Sequence, residues 1–412
     1  MVLFPMRPRF APSFRRYRVL LLVCLLGMLP CESIAQPPGS GQTAVLDAAL
    51  KKPTGKNGFE EFLRAFEFLS KKQQNIRLLA DLDTPLPKIR ALFQRSEMGR
   101  VRALLHLGLS KPILLPYIKP PSKLQELVLH GYAIDWAHIS YVFQTMAYIL
   151  QNEMRLALAD RRNLDAVKSL GDVLAMAQSI STQQWGYSIA ENVVLDTISP
   201  LEKEMPQFSA RDCLELEKML QSFVLRPPDL STGVTMILQH TLPLMREIQN
   251  ATQRDPNNIR VLIEPTDDTR KWERVSKETY DYLLRNPAQC KPLIDKAVLL
   301  VLGYFRKMQQ VTHLPPWQRK IQPWKANTRE SQIASMLITD RMTSFFLMAN
   351  RYRARVLLVG IHVKLRRYQL EYGSFPESLS VLKLSPLYLN PDTGKPFPYA
   401  KKQNGYELGT IK

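Results

Sequence analysis

The sequence predicts a mainly α-helical protein in which antiparallel helices stack as a bundle or a solenoid, closed at the C-terminus by a small β-hairpin. Apolar residues recur at spacings of three and four along most of the 412-residue chain, which is the period of one face of an α-helix. Proline-containing stretches separate these runs, because a proline inside a helix removes a backbone hydrogen bond and kinks or breaks the helix. Residues 373–412 differ, since they combine turn signals with short aromatic segments.

Residues 1–35 have the order of a secretory signal peptide. Five arginines come first, an apolar run of 12 residues follows at 19–30, and Ser-Ile-Ala occupies 33–35. This order predicts cleavage after Ala35 and export to the periplasm or the cell envelope. Two alternatives stay open: the run is retained as a membrane anchor, although crossing a bilayer takes about 20 residues, or Cys31 carries a lipid.

The chain is strongly basic, with 56 Lys and Arg against 37 Asp and Glu and a formal net charge of +19. Removal of residues 1–35 leaves a formal charge of +15. Long-range attraction by such a charge favours an anionic partner, either an envelope component or a membrane surface. The basic residues are dispersed among acidic ones, so the charge can also serve solubility alone. A protein partner stays open, and the export signal argues against nucleic acid.

Cys213 and Cys290 are the two cysteines that follow residue 35. An oxidising compartment would permit a disulfide between them. The alternative is that both are buried thiols that pack as small hydrophobic residues.

Residues 36–330 are predicted to form the main helical region. The segment GFEEFLRAFEFLSKKQ, which begins at Gly58, places phenylalanines and a leucine on one helical face. Residues 111–124 contain four prolines and therefore predict an irregular connector. Long apolar runs joined by short polar turns span residues 123–205 and predict antiparallel helical pairs.

The second half of the chain is predicted to alternate loops with helices. Turn-forming residues at 226–229, 254–270 and 312–331 indicate irregular segments. A long helix is predicted over residues 331–372, because no Gly or Pro occurs from Lys325 to Val359. Gly373 stands where the end of a helix favours a glycine.

Sequence motifs of known chemistry are absent: the chain has no P-loop, no GxGxxG after a strand, no HExxH, no GxSxG and no CxxC. We therefore expect no cofactor and no metal centre. The candidate catalytic residues are Asp135 and His138, which lie three apart on one helix face and could form an acid-base pair. Glu191 is a further candidate, because it is a carboxylate among apolar neighbours. For all three, the alternative is a satisfied polar contact between helices.

A loop with two tryptophans is the candidate binding surface. Trp317 and Trp324 are interleaved with Arg319 and Lys320, and aromatic faces beside cations could dock a glycan, a peptide or a membrane surface. The alternative is that both indoles fasten the loop to the helices.

Residues 373–412 are predicted to fold into a small cap of turns and a hairpin. Residues 391–394, Pro-Asp-Thr-Gly, have the residue types of a turn. Asn404-Gly405 is a hairpin signal, and aromatic residues flank it on both sides. We expect these aromatic residues to pack against the preceding long helix.

The strings YQLEYGSFPESLSVL, LNPDTGKPFPY and GYEL resemble the tail of a group of uncharacterised exported helical proteins of planctomycetes and related bacteria. Chains of that group close with the patterns YxxExGxxPxxLxxL, DPxTGxPxxY and GYxL, and the run NEMRLALADRRNLDAVKSLGDVLAMAQS is similar to their mid-chain helical pairs. The resemblance implies export and helical architecture, and it carries no catalytic residue.

The same tail is similar to the C-terminal part of type II secretion major pseudopilins, in which a comparable loop can hold calcium. The chain lacks the GFTLIE-type N-terminal segment of those subunits. Asn390, Asp392 and Asn404 would also supply few of the roughly six to eight oxygen ligands that Ca²⁺ takes. A pilus subunit and a calcium site are therefore not expected.

Three functional hypotheses follow. The first is an exported, non-catalytic helical scaffold or binding protein of the periplasm or cell envelope. The second is a hydrolase of envelope polymers with a site in a groove between helices, near Asp135, His138 and Glu191. The third is a peripheral membrane-associated protein that uses basic residues and tryptophans.

Overall fold

The computed structural model describes residues 55–70, 73–81, 83–114, 133–181, 186–227, 229–255, 258, 276–321, 324–338, 341–403 and 405–409. Within these ranges the chain folds into 13 α-helices and one two-stranded antiparallel sheet. The predicted fold class, mainly α-helical with a C-terminal hairpin, is confirmed. The predicted signal peptide and most of the loop at 254–270 lie outside the described residues.

The helices, in chain order, are α1 (Gly58–Ser70), α2 (Gln73–Ala80), α3 (Leu86–Phe93), α4 (Ser96–Leu109), α5 (Ala133–Ala159), α6 (Asn163–Ser181), α7 (Gly186–Glu204), α8 (Ala210–Leu225), α9 (Leu230–Arg254), α10 (Lys277–Arg285), α11 (Cys290–Thr312), α12 (Arg329–Ile338) and α13 (Arg341–Tyr372). The strands are β1 (Tyr399–Lys402) and β2 (Gly405–Leu408). Among the described helices, none is both long enough and apolar enough to cross a membrane.

Two hydrophobic clusters form the core of the described chain. The first joins α1 to α8 with the C-terminal part of α13 and the tail, and the second joins α9 to α12 with the N-terminal part of α13. Phe345 and Phe346 of α13 lie in the second cluster, whereas Leu357 and Ile361 lie in the first. One helix thus contributes side chains to both clusters.

The region predicted as one long helix, residues 331–372, contains most of α12 and all of α13. Residues 339 and 340 between them lie outside the described residues. The two helices have different neighbours, because α12 packs mainly against α11 and α13 packs against α7 and α8. Helix α13 ends at Tyr372, and Gly373 follows with a positive φ of 76°.

Cys213 and Cys290 are free, buried thiols in the structure, which favours the alternative that both pack as small hydrophobic residues. Cys213 lies on α8 in the first cluster, and Cys290 begins α11 in the second cluster. Burial raises the pKa of the Cys213 thiol to about 11 and also raises that of Cys290. Both side chains therefore stay protonated and pack as small hydrophobic groups.

A close contact between two glycines positions α4 against α1. A Cβ atom on Gly58 would lie 2.2 Å from the carbonyl oxygen of Gly108, and one on Gly108 would lie 2.5 Å from the Phe62 ring. Met98, Val101 and Leu105 bury the rest of this α4 face. The neighbouring face of α4 is left to present Arg102 and His106 to α5 and α6.

The tail packs back onto α13 as a cap. Leu379, Tyr388 and Phe397 are buried in the first cluster. The Tyr399 hydroxyl donates to the Pro376 carbonyl at 2.6 Å, and β1 pairs with β2 in the register that places Tyr399 opposite Leu408. The hairpin therefore forms in the predicted region, with Gly405 as the first residue of β2, and its aromatic side chain Tyr406 contacts His362 of the last helix.

Candidate functional site

A cleft with a volume of about 400 Å³ opens between α3, α4, α5 and α6. Nine of its 14 lining residues are ionisable. These are Arg90, Arg102, His106, Glu153, Asp160, Arg162, Asp165, Lys168 and Asp172. Converging titratable groups in a concave surface make the cleft a candidate for a ligand site.

The floor of the cleft is formed by a buried carboxylate and an imidazole. Glu153 of α5 has a side chain that is 8% exposed, and it accepts a hydrogen bond from Nε of Arg102. His106 lies one turn after Arg102 on α4, and its Nε2 is 3.2 Å from Oε2 of Glu153. Its Nδ1 is 3.8 Å from Oδ2 of Asp172 on α6. The imidazole therefore stands between two carboxylates from two other helices.

These contacts shift the titration of the three groups. Burial alone would raise the pKa of Glu153, but hydrogen bonds from His106 and Arg102 outweigh it and lower the pKa. The hydrogen bond to Glu153 raises the pKa of His106 against the opposing effect of burial, and Asp172 adds to the rise. Burial raises the pKa of Asp172. The geometry thus favours the charged form of Glu153 and of His106.

The rim of the cleft is a second network of ion pairs. Arg90 of α3 donates from both terminal nitrogens to Asp160, at 3.1 and 2.5 Å. Arg162 pairs with Asp165 at 2.5 Å and reaches Asp160 at 3.4 Å. Such bidentate arginine contacts have a defined geometry. They connect α3 to the turn between α5 and α6.

The turn at the rim carries an unusual backbone conformation. Arg161 has a φ of 58°, the left-handed region that favours glycine. Its amide donates to the Leu158 carbonyl, and the Arg162 amide donates to the Ala157 carbonyl. This is the hydrogen-bond pattern of a Schellman motif, with an arginine where glycine is usual.

A group of polar side chains outside the cleft joins the tail to α13. His362 Nδ1 is 2.6 Å from the Tyr406 hydroxyl, and His362 Nε2 is 3.8 Å from Oε1 of Glu202 on α7. Burial lowers the pKa of His362 to about 4 and raises the pKa values of Glu202 and Tyr406. Phe375 packs edge-on against Tyr406. We interpret this contact as a docking point for the hairpin.

The predicted catalytic residues lie on described helices, but their side chains are outside the described residues. Asp135 and His138 are on α5, and Glu191 is on α7. Their convergence stays untested. Within the part of the chain that the structure describes, no group of three or more His, Cys, Asp or Glu residues is arranged to hold a metal ion.

The predicted binding loop is fastened to the protein by its tryptophans. Trp324 donates from Nε1 to the Ser331 carbonyl at 2.8 Å and packs edge-on against Tyr304. Trp317 is 37% exposed, and its ring lies so close to Gly394 that a Cβ there would be 2.6 Å away.

The cations of this loop differ in their surroundings. Arg319 donates from Nε to the Leu314 carbonyl at 2.9 Å, and Lys320 is exposed. Together with the tryptophan contacts, this arrangement favours a role of the loop in tertiary packing.

Sequence reasoning missed the residues of the cleft. The signal was present in part, because Arg102 and His106 are four apart on α4, as are Lys168 and Asp172 on α6. Glu153, however, meets His106 across 47 residues of sequence. Only the packing of α4, α5 and α6 brings these side chains together.

No family model matches the chain, and no curated protein or solved structure matches it. The resemblance to exported planctomycete proteins therefore stays a prediction. The geometry of the cleft is the basis on which a function can be argued.

Proposed function

We propose that the protein is an exported, non-catalytic helical binding protein of the periplasm or cell envelope, and that the cleft between α3, α4, α5 and α6 is its ligand site. Export is supported by the signal-peptide order of residues 1–35. The binding proposal rests on one observation. Ion pairs between different parts of the fold hold charged side chains of the cleft in place. Side chains that are already held in place lose little conformational entropy when a ligand binds.

The state of the cleft's carboxylates favours binding over catalysis. Glu153 and Asp160 each pair with an arginine. An arginine partner stabilises the ionised form of a carboxylate, which opposes proton donation near neutral pH. Among the lining residues the single hydroxyl belongs to Ser169, which is buried. An exposed hydroxyl or thiol nucleophile is therefore absent from the described lining of the cleft.

A ligand screen with cleft variants tests this proposal. Residues 36–412 would be titrated with amino acids, dipeptides, sugar acids, sugar phosphates and neutral oligosaccharides, with binding measured by thermal shift and calorimetry. We expect at least one class to bind, and we expect Lys168→Gln to weaken it. Lys218→Gln, an exposed cation on α8 outside the cleft, is the control. Binding by no class, or binding that Lys168→Gln leaves intact, would contradict the proposal.

A hydrolase of envelope polymers is the second candidate, and one observation favours it. His106 stands between Glu153 and Asp172, which is an arrangement that can pass protons. Incubation with envelope polysaccharide and peptide fragments, followed by mass spectrometry, would detect cleavage. Products that form with the native protein and fail to form with His106→Gln would replace binding with catalysis as the proposed function.

The peripheral membrane hypothesis receives less support from the geometry. It relied on Trp317 and Trp324, and both indoles contact the protein itself. Sedimentation with anionic vesicles at low salt would still test it, because basic residues alone can attract such surfaces. Sedimentation that Trp317→Ala abolishes would revive it.

A further inference from the structure

We propose that the cleft recognises an anionic oxygen group of its ligand, a carboxylate or a phosphate, through Arg102, His106 and Lys168. The inference rests on the proposed function, because it names the ligand class of the same site. It comes from the hydrogen-bond donors and acceptors that line the cleft.

The two terminal nitrogens of the Arg102 guanidinium are hydrogen-bond donors that no described residue uses. Contacts with Glu153 and Phe93 hold the guanidinium in place. Its Nε donates to Glu153, and no described residue accepts a hydrogen bond from either terminal nitrogen. The guanidinium lies 5.2 Å from the centroid of the Phe93 ring, and the side chain is 40% exposed. Two terminal N–H groups in a planar fork match the two oxygens of a carboxylate or a phosphate.

His106 and Lys168 add a second and a third donor. Nδ1 of His106 is 3.8 Å from Asp172, which is beyond hydrogen-bond distance, and no other acceptor approaches it among the described residues. Lys168 lines the same cleft from α6 and is exposed. Within the described chain no carboxylate lies at ion-pair distance from its ammonium group, and its effect on Asp172 is long-range attraction.

The acceptors of the cleft are mostly occupied. Glu153 is bound by Arg102 and His106, Asp160 by Arg90, and Asp165 by Arg162. Asp172 is the one lining carboxylate without a hydrogen-bonded partner in the described residues, and burial raises its pKa. Donors therefore outnumber free acceptors, and a ligand that supplies acceptors completes the site.

The net formal charge of the groups inside the cleft is positive when His106 is protonated, as binding of an anion requires. This net charge depends on pH. The groups that face one another are Arg102 and His106 of α4, Glu153 of α5, and Lys168 and Asp172 of α6. Their formal charges sum to +1 when His106 is protonated and to zero when it is neutral. Because contact with Glu153 raises the pKa of His106, anion affinity should be higher below that pKa and fall as pH rises through it.

Calorimetric titration of residues 36–412 tests the inference with three probes. Inorganic phosphate and succinate represent the two anionic groups, and glucose serves as the neutral probe. At low ionic strength and pH 6 we expect at least one anion to bind and glucose not to bind. We expect the affinity for succinate to fall by about threefold or more at pH 8, because His106 loses its charge. Phosphate gains negative charge between these pH values, so its binding is compared among variants at pH 6 alone. The two anion arms distinguish a phosphate ligand from a carboxylate ligand.

Substitutions decide whether binding occurs in the cleft. Arg102→Gln should weaken anion binding about tenfold or more, since it removes a charge-assisted pair of hydrogen bonds. Lys168→Gln should weaken it severalfold without leaving the buried Glu153 unpaired, so this variant remains informative if Arg102→Gln fails to fold. The matched control is Lys88→Gln, an exposed cation of α3 that does not line the cleft.

Three outcomes would overturn the inference. If all three variants weaken anion binding equally, the anion is held by the overall charge of the protein. If glucose binds and Lys168→Gln weakens its binding while neither anion binds, the cleft is a binding site for neutral ligands, and the proposed function survives without this inference. If no probe binds and the wider ligand screen is also negative, both proposals fail.

Discussion

Acid is expected to weaken the attachment of the C-terminal hairpin to α13 through protonation of His362. Neutral His362 contacts the Tyr406 hydroxyl at 2.6 Å, and its ring is mostly enclosed by α7, α13 and the tail. Burial lowers its pKa to about 4, whereas an unfolded chain has a histidine pKa of about 6.5. The unfolded state therefore binds a proton at a higher pH than the folded state.

The sign and the size of the effect follow from proton linkage. The contribution of His362 to stability is full above pH 6.5, declines as pH falls, and is lost as pH passes through about 4. The difference between the two pKa values corresponds to about 3 kcal/mol. The ring is partly exposed and Glu202 stands 3.8 Å from it, so we expect a net loss of about 2 kcal/mol between pH 7 and pH 4.5.

Urea denaturation of the native protein and of His362→Gln at both pH values measures this loss. Glutamine can still hydrogen-bond Tyr406 but cannot take up a proton. Other groups, such as Glu202 and His106, titrate in both proteins, so the difference between the two isolates His362. We expect the glutamine variant to lose about 2 kcal/mol less on acidification. Equal losses in both proteins would refute the reasoning that burial holds His362 neutral.

Three further predictions concern the backbone and the cap. Gly58→Ala should lower the free energy of unfolding by about 2 kcal/mol or more, because its Cβ would meet the Gly108 carbonyl at 2.2 Å; an unchanged urea midpoint would contradict the close packing of α1 and α4. Arg161→Gly should raise stability by about 1 kcal/mol, since φ is 58° there. Ser110→Gly, at a helix end with a φ of −78°, is its control and should lower stability; a gain in both would contradict the backbone argument. Deletion of residues 374–412 should lower Tm and increase binding of an apolar dye, because Leu379, Tyr388 and Phe397 each bury a side chain worth about 1.5–3 kcal/mol. Unchanged melting would show that the tail does not stabilise α13.

The hairpin and the end of α13 were predictable because their signals are local. Asn and Gly together favour a turn, and Gly405, the first residue of β2, follows an asparagine in the sequence. Gly373 can take a positive φ at the end of a helix. In both places the residues that determine the conformation lie within a few positions of one another.

The cleft was not predictable, because its contacts connect distant segments. Nothing near Glu153 in the sequence indicates that its carboxylate meets Arg102, which lies 51 positions earlier. The ion pair between Arg90 and Asp160 spans 70 positions. The contact between Trp317 and Gly394 of the tail was not predictable for the same reason, because it also joins distant segments of the chain.

The sequence by itself determined the helical class, the C-terminal hairpin and the expectation of export. It could do so because helical periodicity, turn preference and signal-peptide order are properties of neighbouring residues. Tertiary structure alone decided that Cys213 and Cys290 lie apart as buried thiols, that α13 joins two hydrophobic clusters, and that a buried glutamate holds an arginine and a histidine in one charged cleft. These outcomes depend on which helix faces pack together, and that choice is made by the burial of apolar surface over the whole chain.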